Sequence, residues 1–410
     1  MSINKKTIPN NWTSVLIPEV LFFQEGPGVR KTQFRDKGVK LVNVGNINNR
    51  EINLDATKNF IDEKEAYDKY PHFLLDEGDL LIACSGIVVD NFHNKLAFIK
   101  KEHLPLCLNT STMRFKSLDE KVLDINYFKI FLQSGNFKEQ LRSLITGSAQ
   151  LNFGPSHIKQ IELLLPPLEQ QKKIAAILDA ADEIRQKDKA LIAKYDELTQ
   201  ALFLDMFGDV FKNNKGFPIN RLGDLCEELF LGLTSKVDYV DEGGFPLVRT
   251  TDINGGVLCF DNVKFISETQ HKKVTARRIT LRGDVLVSKS GTLGTCAIVD
   301  SDREFSTYES IFTVRPKKEL LSNNFLVYLN KNDGFQKKLL GQKVGGIVSH
   351  LNLNMFRDFE FPLAPLKLQN QFAERVKVIE EQKSIAQASA VKSEELFNSL
   401  LQKAFNGELV

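Results

Sequence analysis

The sequence predicts an α+β protein: two homologous mixed α/β domains separated by a pair of long antiparallel coiled-coil helices, with approximate two-fold symmetry. Three observations carry that prediction. The chain repeats itself once, each repeat ends in a long stretch without helix breakers, and both stretches carry a heptad pattern. A length of 410 residues with 42% hydrophobic and 26% charged residues suits more than one globular core.

Gly38-Val-Lys-Leu-Val-Asn43 recurs as Gly244-Phe-Pro-Leu-Val-Arg249, and Gly78-Asp79-Leu80 through Ser85-Gly86 recurs as Gly283-Asp284-Val285 through Ser290-Gly291. Gln150-Leu151-Asn152 matches His350-Leu351-Asn352, Pro167-Leu168-x-x-Gln171 matches Pro365-Leu366-x-x-Gln369, and Phe207 matches Phe405. Anchors in one order with slowly drifting offsets mean two homologous halves with small loop deletions.

The first domain, residues 1–166, shows short strand-like runs at Lys40–Val44, Leu80–Ala83 and Thr112–Phe115 between Gly, Asn and Asp turns. Helical patterns follow at Val122–Gln133 and Asn136–Ile145, then an apolar strand at Ile161–Leu165. After that the character changes. From Leu168 to Phe207 there is neither Pro nor Gly, and Gly208 marks the end of a helix assigned to residues 167–208. Ile174, Ala181, Tyr195 and Leu202 form one seam and Ile177, Ile184, Leu191 and Leu198 the other, with Asp188 interrupting; both seams are expected to be intramolecular core. The remaining faces, with Glu169, Lys173, Arg185 and Glu197, are expected to meet partners.

The second domain, residues 209–364, repeats the plan, with helices at Asn323–Leu329 and Gly334–Leu340 and a strand at Phe359–Leu363. In the last helix, residues 365–410, Phe372, Val376, Ile379, Ala386, Ala390, Phe397, Leu400 and Ala404 form a seam interrupted by Lys383 and Ser393. If the two helices pack, connectivity makes them antiparallel, as rods of about 60 Å.

Motifs for catalysis are missing. The six histidines form no HExxH or HxH, and there is neither a GxxxxGK[ST] loop nor a GxSxG elbow, so neither a metal site nor a catalytic residue is expected. Asp79 and Asp284 follow glycines and read first as turns entering strands. Five scattered cysteines (Cys84, Cys107, Cys226, Cys259, Cys296) suit reduced thiols in the cytoplasm. No apolar run reaches the roughly 18 residues of a membrane span. The total charge is +2, but both globular parts are mildly basic while the first long helix is acidic, which suits a polyanion touched at two places.

The stretch from Pro166-Pro-Leu-Glu-Gln-Gln to Leu202-Phe-Leu-Asp-Met-Phe-Gly208 resembles the central conserved region of the specificity subunits of type I restriction–modification systems. Pro365-Leu-Lys-Leu-Gln to Leu400-Leu-Gln-Lys-Ala-Phe-Asn-Gly-Glu-Leu409 resembles their distal region, and the Gly-Asp-x-Leu…Ser-Gly pairs are typical of their target recognition domains. Gly291-Thr292 has the small residue expected after Ser-Gly, whereas Gly86-Ile87 does not. The resemblance implies a non-catalytic subunit whose two domains each read half of a bipartite, asymmetric site in double-stranded DNA. The helices would set the spacer and dock two methyltransferase subunits, and ATP-dependent restriction subunits would complete the complex. This chain would hold no cofactor; S-adenosylmethionine, ATP and magnesium would belong to the partners. Self-association of the isolated chain is compatible with exposed partner faces. The alternative is a coiled-coil scaffold that joins protein partners without DNA.

Base edges are read by Arg or Lys on guanine, Asn or Gln on adenine, and hydroxyls on either. Such residues gather where strands meet loops. In the first domain they are Arg30, Lys31, Asn43, Asn46, Ser85, Asn109, Thr110, Thr112, Gln150 and Asn152. In the second they are Lys236, Arg249, Thr250, Thr251, Lys289, Ser290, Thr292, Lys343, His350 and Asn352, with Lys289 and Arg249 foremost. Lys272, Lys273, Arg277 and Arg278 form the densest basic cluster and suggest phosphate contacts.

Overall fold

Short apolar runs between turn residues fold, in each repeat, into the same two sheets. The computed structural model describes residues 9–86, 94–145, 152–210, 212–241, 243–254, 256–289, 295–332, 335, 339 and 352–410. It divides into two units, Met1–Lys189 with Ala388–Val410, and Ala190–Gln387. The division falls inside the two long helices, Leu168–Phe207 and Leu366–Phe405, so each unit holds half of each.

In the first unit an antiparallel sheet runs in the order Leu21–Glu25, Thr112–Ser117, Leu80–Ala83, Leu96–Phe98. Every residue of Leu80–Ala83 is buried, which is why that run is apolar throughout instead of alternating. A second sheet joins Phe60–Ile61, Val39–Val42 and Leu106–Leu108, the last pair parallel. Thr13–Leu16 pairs with Glu162–Leu165 and brings the two ends of the domain together. The second unit repeats this plan. Its larger sheet runs Cys226–Leu231, Ile311–Pro316, Val285–Ser288, Cys296–Ile298; its smaller one runs Tyr239–Val240, Lys264–Ile266, Phe245–Val248, Ser306–Thr307; and Ile219–Arg221 pairs with Glu360–Pro362.

Helix boundaries follow caps. The helix expected from Val122 begins at Ile125, because the Asp124 carboxylate accepts from the Asn126 and Tyr127 amides. The next runs Gly135–Leu144 behind Ser134, whose hydroxyl accepts from the Phe137 amide. In the second repeat one helix spans Asn323–Lys331, and the stretch Gly334–Leu340 lies largely outside the described residues.

Two repeated polar devices hold each unit together. Asp79 is fully buried; its Oδ2 accepts from the Asp76 amide at 3.0 Å and from Arg114 Nη1 at 3.3 Å. Asp284 does the same with the Leu281 amide and, through two contacts at 2.8 Å, with Arg315. The Gly-Asp pairs are thus turns locked to the neighbouring strand. The second device explains the Pro-Leu-x-x-Gln motif. Buried Gln171 accepts from the Asp124 amide (2.9 Å) and donates to the Val122 (2.9 Å) and Pro166 (2.8 Å) carbonyls. Gln369 accepts from the Ser322 amide (2.8 Å) and donates to the Leu320 (3.0 Å) and Ala364 (2.8 Å) carbonyls. Each glutamine ties the start of a long helix to the cap of a domain helix.

The long helices run antiparallel within each unit. In the first, Arg185 meets Glu394 and Asp188 meets Ser389; in the second, Asp196 meets Lys383 and Phe203 meets Phe372. Their C-terminal aromatics end in matching clusters, Phe405 against Tyr127 and Phe131, and Phe207 against Phe325 and Phe372. Gly208 follows with φ 72°, a left-handed stop suited to glycine.

The seam of the second helix is as expected, down to Lys383 and Ser393 on the inner face. The first helix differs. Its inner face combines Ile174, Ala181, Asp188, Tyr195 and Leu202 with Leu178, Arg185, Ile192, Thr199 and Met206, four residues on instead of three. Ile177, Ile184, Leu191 and Leu198, expected in the core, are exposed at 36%, 51%, 41% and 49%. Arg185, expected to face a partner, is 3% exposed, stacked over Phe397 at 3.9 Å and paired with Asp182 and Glu394. At 3.6 residues per turn both spacings lie on one side of a helix, and an Arg that buries its stem and keeps two carboxylates can displace a leucine or isoleucine from the inner face. Among the described residues, no helix is long and apolar enough to cross a membrane.

Candidate nucleic-acid interface

The strand ends of each unit deliver the same set of loops to one edge of the larger sheet. In the first unit the Gly26 amide donates to the Thr112 carbonyl, the Cys84 amide to Ser111, and the Phe153 amide to Cys84. A Cβ on Gly26 would lie 2.4 Å from the Asn109 backbone, so only glycine lets these segments close. In the second unit the Gly232 amide donates to Ile311, the Leu233 amide to Thr307 and the Lys289 amide to Ser310. Gly232 is equally tight, with the Thr307 carbonyl oxygen 2.3 Å from the Cβ position.

The smaller sheet adds a turn to each cluster. The buried Asn46 Oδ1 accepts from the Asn43 amide at 2.9 Å, and the buried Asp252 Oδ2 accepts from the Arg249 amide at 2.7 Å. Each turn reaches the loop before the next long strand. Asn109 Nδ2 donates to Asn43 Oδ1 (2.6 Å) and the Val44 amide to Ser111 Oγ (3.1 Å); Thr250 Oγ1 donates to Ser310 Oγ (3.0 Å).

On this frame the expected base readers separate into groups. Arg30, Lys31, Thr110, Asn152, Lys236, Thr251 and Asn352 are exposed, and Asn43, Ser85, Arg249, Thr250 and Lys289 half-buried. Asn46, Asn109 and Thr112 are buried and committed to the loops themselves: Thr112 Oγ1 bonds the Val42 and Asn109 carbonyls, and Asn46 Nδ2 the Asn53 carbonyl. They shape the frame instead of reaching from it. Arg249 is partly committed too, its guanidinium 3.2 Å from Asp252. Asn152 Oδ1 accepts from Ser85 Oγ and the Gly86 amide, while Asn352 caps the Leu353–Arg357 helix. Gln150, Ser290, Thr292, Lys343 and His350 lie outside the described residues.

Three contributors escaped the sequence reading. Ser111 and Ser310 hold the loops, and the only signal for them was their place just before a strand. Glu25 ends a strand inside the first cluster, its Oε1 4.0 Å from Cys84 Sγ, and no cation pairs with it among the described residues. Burial pushes its carboxyl above the usual range, and burial beside Glu25 pushes the Cys84 thiol up to about 12. Among the described residues no three His, Cys, Asp or Glu could share a metal ion.

The chain matches a family model, the type I restriction modification DNA specificity domain, twice, over residues 9–194 and 214–390. It is 22% identical to the type I restriction enzyme MjaVIII specificity subunit of Methanocaldococcus jannaschii, over 73% of this chain and 74% of that one. With the type I restriction enzyme EcoBI specificity subunit of Escherichia coli it shares 23% identity over 98% of this chain and 87% of the other. In fold it resembles the crystal structure of the type I restriction–modification S subunit from M. genitalium, with a TM-score of 0.54, 17% identity and 98% of both chains covered.

Proposed function

We propose, since the chain belongs to the type I restriction–modification DNA specificity family, that each unit reads one half of a split, asymmetric sequence in double-stranded DNA. One observation carries the reading: two loop clusters share a backbone frame but differ in the side chains they present. At matched places Asn43 stands against Arg249, Val44 against Thr250 and Cys84 against Lys289. Amide chemistry suits adenine edges, and arginine and lysine suit guanine. Unlike chemistry on like frames calls for two different half-sites, so the whole site is not a palindrome. The paired long helices would fix the spacer, as a dimer axis fixes half-site spacing in symmetric readers.

The exposed line Ile177, Ile184, Leu191 and Leu198 supports docking of partner helices. Four apolar residues seven apart on the outer side of one helix form half of a coiled-coil seam. The proposed occupants are the methyltransferase subunits, which would hold S-adenosylmethionine; restriction subunits would use ATP and magnesium. This chain would take part in the cytoplasm and catalyse no step itself.

The test is single-molecule sequencing of genomic adenine methylation with the gene intact and deleted. Loss of one split, non-palindromic motif is expected; loss of a palindromic or continuous motif would overturn the reading. A protein-only scaffold would instead show no salt-dependent binding of duplex, whereas phosphate contacts weaken steeply with added salt.

A further inference from the structure

The basic cluster of the second domain lines a cleft of about 650 Å³ beside the loop cluster. One wall is the Glu268–Thr275 helix and the turn after it, with Lys273, Arg277 and Arg278; the other is the Gly232–Ser235 loop, with the Thr234 and Ser235 hydroxyls. The walls are stapled through Gln270, whose Nε2 donates to the Lys236 carbonyl at 2.8 Å and whose Oε1 accepts from the Asp238 amide at 2.9 Å. Because the Leu233 amide bonds the Thr307 carbonyl at 2.7 Å, the cleft is continuous with the edge that carries Thr250, Lys289 and Ser310.

The cations differ in their commitments. Lys272 is paired with Glu268, and Arg278 lies 3.6 Å from Glu228 with its guanidinium 5.8 Å over the Phe230 ring. Lys273 and Arg277 are exposed and have no carboxylate partner among the described residues. Two uncompensated cations four residues apart beside two hydroxyls make a site for a phosphate, and the apolar floor of Phe230, Val274 and Phe305 suits a flanking deoxyribose. The first domain does not repeat the arrangement. Its corresponding helix, Glu63–Lys69, carries Glu63, Glu65 and Asp68 against Lys64 and Lys69, and Lys69 is 3.4 Å from Glu65.

We propose that this cleft clamps a backbone phosphate of DNA through Lys273 and Arg277, so that the second unit grips its half-site by a contact the first unit lacks. The inference rests on the DNA reading given above and adds a residue-level asymmetry to it. A phosphate contact positions the duplex and carries no base preference.

The test uses the full chain and a fluorescent duplex of random sequence, titrated at several salt concentrations. Lys273→Gln with Arg277→Gln is expected to flatten the slope of log affinity against log salt by about 0.9, the value for one phosphate contact removed. Lys64→Gln with Lys69→Gln should leave the slope at the wild-type value. Both pairs are on the surface, and far-UV circular dichroism checks that each variant is folded. A wild-type slope in the Lys273/Arg277 variant would overturn the clamp while leaving the DNA reading intact. Absence of salt-dependent binding by the wild type would overturn both. Inorganic phosphate supplies the last arm: if it raises the melting temperature of the wild type but not of the double variant, while both bind duplex with the same slope, the cleft holds free phosphate and the assignment to DNA fails.

Discussion

Replacing Gln171 by leucine keeps the side-chain size and removes three hydrogen bonds at once. The Asp124 amide and the Val122 and Pro166 carbonyls, bonded to Gln171 at 2.8–2.9 Å, would remain in place without partners. A buried polar group left unpaired costs about 1–3 kcal/mol. The contact to Pro166 is fully buried and the other two partly so, so a sum of about 3–5 kcal/mol is expected. With a urea m-value of about 2 kcal/mol per molar, the midpoint should fall by about 1.5–2.5 M. The single tryptophan makes the assay local. Trp12 is 6% exposed and donates through Nε1 to Gln170 Oε1 at 3.0 Å, one residue from the substitution, so its fluorescence reports the first unit. Gln369→Leu should produce a loss of the same size in the second unit, read by circular dichroism. A shift of the Trp12 transition below about 0.5 M for Gln171→Leu would refute the argument, since it would mean that those backbone groups find other partners at little cost.

Asp284→Ala should cost about 3–5 kcal/mol by stranding Arg315, whereas Asp302→Ala, which breaks the exposed pair with Arg282, should cost under about 1 kcal/mol by urea unfolding. Glu25→Gln tests a pH dependence. Burial raises the Glu25 carboxyl above its unfolded value, so its ionised form costs stability once the pH exceeds that raised value. The glutamine variant should melt higher than wild type at neutral pH, and the difference should vanish on acidification; a difference that grows in acid would contradict the burial argument. Leu191→Lys should leave the melting temperature near wild type while abolishing co-purification with the methyltransferase subunit. A large loss of stability would instead put Leu191 back inside the helix pair.

The duplication, the strand runs Leu80–Ala83 and Thr112–Phe115 and the second helix seam were legible because apolar runs and repeats each rest on several residues, whereas the order of strands in the sheets was not. Nor was the first seam. Residues three and four apart lie on one helix side, and Ile177 and Leu178 are both good core formers. What decides between the two lines is Arg185, which reads as a surface cation in sequence and is buried only because Glu394 and Phe397 lie opposite it. The candidate base readers show a similar limit. Asn43 and Asn46 are the same residue type three positions apart, yet one is half-exposed and the other fully buried, accepting from the first one's amide. Composition identifies a polar turn; which polar group closes it and which is left outward depends on backbone hydrogen bonds that a sequence does not display.

The paired turns, Asn46 under Asn43 and Asp252 under Arg249, separate the chemistry of recognition from the chemistry of folding. Inward groups close the turn on its own backbone, and each outward group adds side-chain contacts to a neighbour, Asn43 with Asn109 and Arg249 with Asp252. Exchanges at the outward positions should therefore cost those contacts, about 0.5–1.5 kcal/mol each, and leave the turn closed. Such a protein can drift from one target to another through folded intermediates, since a change of letter read need not pass through a loss of structure.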